Sequence, residues 1–300
     1  MQESITLWCK QFYTVEEVLK CEFSSLTNDC FIDIDCCKQK LVQKRFTLYA
    51  LSKCKDILMV TKHQIKVIKS LGQKKFRLQL GLFVVEGIKG INEFLSSDFE
   101  LENLFTTELI FDAPEDLINV ISTSDLKRIS TLKSPNTALA VFKIKASEQI
   151  ETGKLIIALD DVRDPGNLGT IIRLCDWYGV RDLVCSLNTV DCYNQKVVQA
   201  TMGSLSRVNI TYLDLNDYIA SSELQVFGTF MEGENIYTAE IPETGLVILG
   251  NEANGISEGI KVNRKLTIPQ FGDVNATESL NVANATAILL SEFKRRSIEM

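Results

Sequence analysis

The sequence predicts an α/β protein in which a parallel sheet, within residues 148–300, follows a smaller α/β domain at 59–147. Two observations carry this prediction. From about residue 154 onward, short apolar runs alternate with amphipathic helical runs, which is typical of a parallel sheet covered on both faces. Overall, 45% of the residues are hydrophobic and 24% are charged, which is ordinary for a globular protein. We expect no membrane-spanning segment, since no apolar run reaches about 18 residues.

The first 58 residues differ in composition from the rest of the chain. They contain six of the nine cysteines and neither glycine nor proline, and Met59 follows them directly. Two interpretations stay open. The segment is either a small helical extension, or an upstream stretch outside the natural protein with Met59 as the true start. Neither interpretation assigns chemistry to it.

The small domain opens with a basic segment. Residues 59–80 contain no acidic residue, and Ile65, Ile68 and Leu71 mark one apolar helical face. The basic residues around that face and in the following turn are Lys62, Lys66, Lys69, Lys74, Lys75 and Arg77. GLFVVEG then predicts a buried strand that ends at Gly87. Further helices are predicted at 88–96, 114–121 and 124–132, and strands at 101–105 and 138–145. Residues 145–154 predict a polar linker.

The larger domain begins with a strand. Apolar runs predict strands at 154–160, 182–186, 207–211, 225–230, 245–250 and 265–269, with helices at 167–178, 194–203, 213–221 and 279–296. Ligands of parallel sheets bind just beyond the carboxyl ends of the strands. The loops after residues 160, 230, 250 and 268 are therefore the candidate binding loops.

Several chemistries have little support. His63 is the only histidine and no C-x-x-C pair occurs, so we expect no metal site and no histidine-dependent triad away from His63. The G-x-G-x-x-G and G-x-x-x-x-G-K-[ST] phosphate loops are absent. MQESITLWCKQF lacks the pattern of a secretory signal, and we predict a cytoplasmic protein with reduced thiols.

The first candidate loop is LDDVRDPGNLGTIIRLCDWYG. Asp-Pro-Gly predicts a turn, and Asn167 is a candidate helix cap. The apolar stripe of the helix consists of Leu168, Ile171, Ile172 and Cys175. Arg173 lies off that stripe and over Gly169, where a missing side chain would let a ligand approach. The alternative is an exposed arginine on an ordinary helix.

Two further loops follow buried strands. VILGNEANGIS places Gly250 and Gly255 on either side of Glu252, which suits a flat ligand edge but also a simple turn. After Ile268-Pro269, the start of the last helix carries more polar side chains than one cap needs: Asn275, Thr277, Glu278, Ser279 and Asn281. Ala283, Ala285 and Ala287 make that helix thin enough for close packing.

Together the three loops resemble the SpoU, or TrmH-like, RNA ribose 2′-O-methyltransferases of the SPOUT superfamily. The first motif is matched by Asn167, Gly169 and Arg173, and the second by Gly250, Glu252 and Gly255. The third is matched by Ile268-Pro269 and Ser279-Leu280-Asn281-Val282. Three motifs in order at family-like spacing are specific, and they cover about residues 150–296. KKFR and LFVVEG carry a weaker likeness to the family's small RNA-binding domain.

The resemblance implies a C-terminal trefoil knot and S-adenosylmethionine as the cofactor. It implies cofactor-binding roles for Gly250, Gly255, Ile268, Leu280 and Asn281. The implied catalytic residues are Arg173, Asn167, Glu252, Ser279 and Asn281, with Arg173 activating the ribose hydroxyl. Because a guanidinium is not normally a base, we expect Arg173 instead to hold a neighbouring phosphate and stabilise the developing alkoxide. No metal is required.

The resemblance also implies a homodimer, with the alanine-lined last helix as a plausible interface. Residues 148–300 carry a net charge of −9 and residues 59–147 a net charge of +2. RNA should therefore meet the small domain first, through the six basic residues named above. Ribosomal RNA is the favoured substrate. Transfer RNA is the alternative substrate. As alternative functions, the chain could be a non-catalytic RNA-binding protein of the same fold or a Rossmann-type methyltransferase.

Overall fold

The computed structural model describes residues 58–135, 137–272 and 279–296. Within these ranges, Leu58–Thr107 and the chain from Phe111 onward form one compact unit. The predictions for residues 1–57, and those for Asn275, Thr277 and Glu278, lie outside the described residues. Leu58, the last residue of the N-terminal segment, is described, and its backbone N–H donates to the Val120 carbonyl at 2.9 Å.

The small domain is a four-stranded sheet with helices. Its elements are α1 (Lys62–Ser70), α2 (Lys74–Leu80), β1 (Leu82–Glu86), α3 (Ile88–Leu95), β2 (Leu101–Thr106), β3 (Ile118–Val120), α4 (Thr123–Ile129) and β4 (Ala138–Lys143). The strand order is β1-β4-β2-β3. β4 pairs antiparallel with β1 and β2, whereas β3 pairs parallel with β2.

Local sequence explains where these elements start. Thr61 caps α1, and Gln64 completes a capping box with it, which satisfies two backbone donors at the helix start. Ser122 caps α4 through its side-chain oxygen alone, which accepts from the Asp125 N–H at 3.0 Å. The prediction of a helix at 114–121 is wrong. Only a 3₁₀ turn forms there, at Glu115–Leu117. The chain then becomes β3, because its backbone completes the edge of the sheet.

The larger domain is a six-stranded, wholly parallel sheet in the order β10-β8-β9-β5-β6-β7. The strands are β5 (Leu155–Leu159), β6 (Asp182–Ser186), β7 (Asn209–Leu213), β8 (Val226–Asn235), β9 (Gly245–Leu249) and β10 (Arg264–Thr267). The helices are α5 (Pro165–Trp177), α6 (Gln195–Thr201), α7 (Leu215–Ser221) and α8 (Val282–Arg296). The alternation predicted from the sequence is confirmed, although β8 extends five residues beyond its predicted end.

One apolar core runs through both domains. It joins Phe83 and Phe94 of the small domain to central residues of the large sheet, such as Ile157 and Val247. Burial raises the pKa of the Cys175 thiol to about 12, because a thiolate in apolar surroundings loses its hydration. Among the described helices, none is both long enough and apolar enough to cross a membrane.

Candidate active site

A cleft of about 680 Å³ lies beside the middle of β8, where β9 and β10 end and α8 begins. This size lies within the range of small-molecule sites, roughly 300–1,000 Å³. The cleft is lined by Gly250, Glu252, Gly255, Ile268, Ser279 and Leu280. These include four of the five predicted cofactor residues, and the fifth, Asn281, immediately follows Leu280 in the chain.

The Gly250–Gly255 loop is unusually tight. The backbones of Asn251 and Gly255 exchange hydrogen bonds of 3.0 and 2.8 Å. A Cβ atom on Gly250 would lie 2.2 Å from the Gly255 carbonyl carbon, and backbone atoms cannot move aside as a side chain does. Only glycine at 250 therefore allows this loop to fold back beside the cleft.

Three predicted catalytic residues form one hydrogen-bonded line at the edge of the cleft. Asn281 Nδ2 donates to Asn167 Oδ1 at 2.9 Å. Asn167 Nδ2 donates to Glu252 Oε1 at 2.5 Å. The line connects α8, α5 and the loop after β9, which carry the three separate sequence motifs. The polarity of the α8 start is thereby explained in part, because Asn281 also accepts from the Ala283 N–H at 2.9 Å and caps the helix.

The helix start at α5 differs from the prediction. Asp164, not Asn167, is the N-cap, and its carboxylate accepts from the Asn167 N–H at 2.8 Å. Pro165 occupies the first turn, where its missing N–H costs nothing. Because the backbone cap is supplied by Asp164, the Asn167 side chain is left to contact Glu252 and Asn281.

Gly169 has a different role from the one predicted. It does not open space beside Arg173. A Cβ atom on Gly169 would lie 2.4 Å from Ala200 Cβ, so the glycine permits close packing of α5 on α6. Arg173 itself is exposed. No hydrogen bond or ion pair joins it to another residue within the described parts of the chain.

Other predicted positions are partly corrected. Arg77 is only 2% exposed and is ion-paired with Asp191, so it does not belong to the RNA-facing surface. The other predicted RNA contacts are exposed, and we call them the basic surface: Lys62, Lys66, Lys69, Lys74 and Lys75. Ala283 is buried against the core of its own chain, which removes it from any subunit interface.

Sequence reasoning missed the residues that hold the site loops together. Asp160 is 5% exposed, and its Oδ2 accepts from the Ser257 N–H at 2.7 Å. Asn251 Nδ2 donates to the Asp161 carbonyl at 2.8 Å. Both contacts tie the loop after β5 to the loop after β9. In the sequence, the acidic pair Asp160-Asp161 directly after a buried strand could have indicated these contacts.

β8 also contributes a wall, close to the candidate binding loop that the sequence predicted after residue 230. The pairing of β10 with β8 jumps from Gly228 to Glu234 between successive residues of β10. Residues 229–233 therefore leave the ladder. Thr229, Phe230 and Met231 line the cleft from this bulge.

Comparison with known proteins follows the same division of the chain. Residues 154–291 match the SpoU rRNA Methylase family, and residues 62–140 match an MRM3-like substrate binding domain. A solved TrmH-family structure from Porphyromonas gingivalis is 38% identical, with a TM-score of 0.74, and the match covers 80% of this chain and all of that one. This chain belongs to the SpoU/TrmH family of RNA methyltransferases.

Two further relatives show a similar likeness over most of the chain. The 23S rRNA (guanosine(2553)-2′-O)-methyltransferase RlmP of Bacillus subtilis is 29% identical over 248 residues, which are 79% of this chain and 98% of that protein. An AdoMet-bound rRNA methyltransferase structure from Sinorhizobium meliloti is 27% identical, with a TM-score of 0.71. That match covers 81% of this chain and 99% of the other. Within the described residues, no cluster of three metal-ligating side chains occurs.

Proposed function

We propose that this chain is an S-adenosylmethionine-dependent ribose 2′-O-methyltransferase that acts on ribosomal RNA. The observation that carries the proposal is the line Asn281–Asn167–Glu252 beside the cleft. It joins three motifs distant in sequence at one point. The names of the relatives, which act on 23S ribosomal RNA, support the choice of substrate.

The cleft fits S-adenosylmethionine in size and chemistry. Apolar walls from Leu249, Leu266, Leu280 and Leu289 suit a flat purine. The backbone of the tight Gly250 loop can approach a ligand edge closely, because no side chain intervenes. Glu252 supplies negative charge at the mouth of the cleft, which suits a positively charged ligand. When bound, the cofactor supplies an electrophilic methyl group.

The chain itself would hold and activate the ribose. Attack by a 2′-hydroxyl needs that oxygen aligned with the methyl group and relieved of its proton. We assign Asn167, Glu252, Asn281 and the nearby Ser279 to ribose orientation. Arg173, with its exposed guanidinium, would bind an adjacent phosphate and stabilise the developing alkoxide. A guanidinium stays protonated, so we assign Arg173 no role as a general base.

The basic surface is the proposed first contact with RNA. All five of its lysines lie in α1 and α2 and are exposed. Lysines that neutralise phosphates release counterions and make binding strongly dependent on salt. Because residues 148–300 carry a net negative charge, a separate basic surface is useful for binding RNA.

We also propose the family's trefoil knot and a homodimer. The meeting of β8, β9, β10 and α8 at one cleft supports the proposed knot. Arg296, at the end of α8, bonds back to the Ile236 carbonyl at 3.0 Å. Trp177 supports the dimer: it is 83% exposed, four residues beyond Arg173 on α5. A large aromatic side chain left this open suits a surface that another subunit covers.

Methyl transfer from labelled S-adenosylmethionine tests the proposal. Purified protein would be incubated with ribosomal RNA and, separately, with transfer RNA, and the RNA digested to nucleosides. We expect label in a 2′-O-methyl nucleoside from ribosomal RNA. Label only in transfer RNA would overturn the substrate, and label on a base would overturn the reaction. A Gly250→Trp variant, which fills the loop beside the cleft, is the inactive control.

A further inference from the structure

We infer that the buried ion pair between Arg77 and Asp191 is a positioning device, which fixes the RNA-reading helices relative to the catalytic loop. Arg77 lies in α2 of the small domain, and Asp191 lies between β6 and α6 of the large domain. The inference rests on the proposed function and adds two residues that position the RNA substrate without touching it.

Arg77, in α2, makes three hydrogen bonds that connect its helix to α1 and to the large domain. Its Nη2 and Nε donate to Asp191 Oδ2 at 2.6 and 3.0 Å. Its Nη1 donates to the Leu71 carbonyl, at the end of α1, at 2.8 Å. One planar guanidinium thus holds α1, α2 and the large domain in a single arrangement. Lys74 and Lys75 of the basic surface lie in the same short helix.

The loop around Asp191 is itself anchored to the catalytic side. The Val190 N–H donates to the Val162 carbonyl at 2.9 Å. Tyr212 donates its hydroxyl to the Val190 carbonyl at 2.6 Å and accepts from the Cys192 N–H at 2.8 Å. Val162 is fully buried and precedes Asp164, the cap of α5, by two residues. A short polar path therefore runs from the basic surface to the helix that carries Asn167 and Arg173.

Stability alone gives little reason for an ion pair at this place. A buried ion pair costs desolvation energy, and well-packed apolar residues of similar volume are often equally stable or more so. Apolar contact already joins the two domains nearby, because the ring centroids of Phe83 and Tyr193 lie 4.6 Å apart. The ion pair adds a fixed orientation of the small domain relative to the large one, because its hydrogen bonds form only in one arrangement of the two.

A double replacement separates positioning from stability. Arg77→Met with Asp191→Leu removes both charges together and leaves neither one buried alone. The replacement also removes the hydrogen bonds to the Leu71 carbonyl and from the Tyr193 N–H, so we expect a melting temperature somewhat below that of the parent. S-adenosylmethionine affinity in calorimetry should be unchanged. The value of kcat/KM for ribosomal RNA should fall about ten- to a hundredfold, mostly through KM, because a misplacement of about 1 Å is costly. Arg77→Lys should recover little, since the donors of an ammonium group rotate on a flexible stem and lack the fixed planar arrangement of a guanidinium.

The control is an arginine–carboxylate pair inside one domain, which is more exposed than Arg77–Asp191. Arg264 contacts Glu234 between β10 and β8, and Arg264→Met with Glu234→Leu should leave kcat/KM for RNA unchanged. Parent-like kcat/KM in the folded Arg77→Met, Asp191→Leu protein would overturn the inference.

A second measurement keeps the inference independent of the proposed activity. Hydrogen exchange of the Val190 and Leu168 amides reports the anchoring of the loop and the start of α5. Both should exchange faster in the Arg77→Met, Asp191→Leu protein than in the parent or the control. If the parent transfers no methyl group to RNA, the proposed function fails, and unchanged exchange at these amides would still refute the positioning role.

Discussion

Removing the Asn167 side chain should disable the site while leaving the fold intact. Asn167→Ala deletes two hydrogen bonds, one to the amide of Asn281 and one to the carboxylate of Glu252. Each contributes about 0.5–1.5 kcal/mol net, or more when the partner is charged. Because both lie at an exposed position, we take a combined loss of about 1–3 kcal/mol. Expressed in the transition state, that loss lowers kcat/KM roughly five- to 150-fold.

The assay compares Asn167→Ala with a matched asparagine outside the site. Asn209 makes side-chain hydrogen bonds to Asp182 and to the Glu148 backbone. Asn209→Ala should lower the melting temperature at least as much but leave methyl transfer to ribosomal RNA near the parent rate. Asn167→Asp, which keeps the shape but sets a carboxylate against Glu252, should lose as much activity as Asn167→Ala. Normal turnover by a folded Asn167→Ala protein would refute the reasoning.

Three further predictions concern other parts of the molecule. Gly250→Trp should weaken S-adenosylmethionine binding at least tenfold in calorimetry, because even a Cβ collides with the backbone of Gly255; parent-like affinity would place the cofactor elsewhere. Replacing the lysines of the basic surface with glutamine should weaken RNA binding and flatten the slope of log affinity against log salt; an unchanged slope would remove this surface from the RNA site. The pKa of the buried Cys175 thiol is raised from 9.0 to about 12, so the unfolded chain ionises first and stability should fall as pH rises above about 9. A urea midpoint that is equal at about pH 8 and pH 10 would contradict this.

The order and type of most elements in the large domain follow from local patterns in the sequence. Strands such as LIIAL at 155–159 are apolar throughout, which fits burial on both faces of a parallel sheet. The residues of the site were predictable only through the three motifs, because no local pattern relates Asn167 to Glu252 or Asn281. Their hydrogen bonds bring together residues 85 and 114 positions apart.

The errors share one cause, which is that tertiary contacts decide what local sequence leaves open. Arg77 was assigned to a basic surface by its neighbours in sequence, yet its partner Asp191 lies 114 residues away. Gly169 was assigned to a ligand approach, but Ala200 of the adjacent helix requires it. Residues 118–120 looked helical and became a strand because β2 offered an unpaired edge.

The most direct test of the central claim is methyl transfer by Arg173→Ala. Arg173 is exposed, so its replacement should change the free energy of unfolding by no more than about 0.5 kcal/mol. A melting curve and S-adenosylmethionine calorimetry would be recorded beside the transfer of labelled methyl groups to ribosomal RNA. We predict parent-like melting and cofactor affinity with most 2′-O-methyl formation lost, and little recovery in Arg173→Lys. Near-normal formation of the 2′-O-methyl nucleoside by folded Arg173→Ala would contradict the proposed active site.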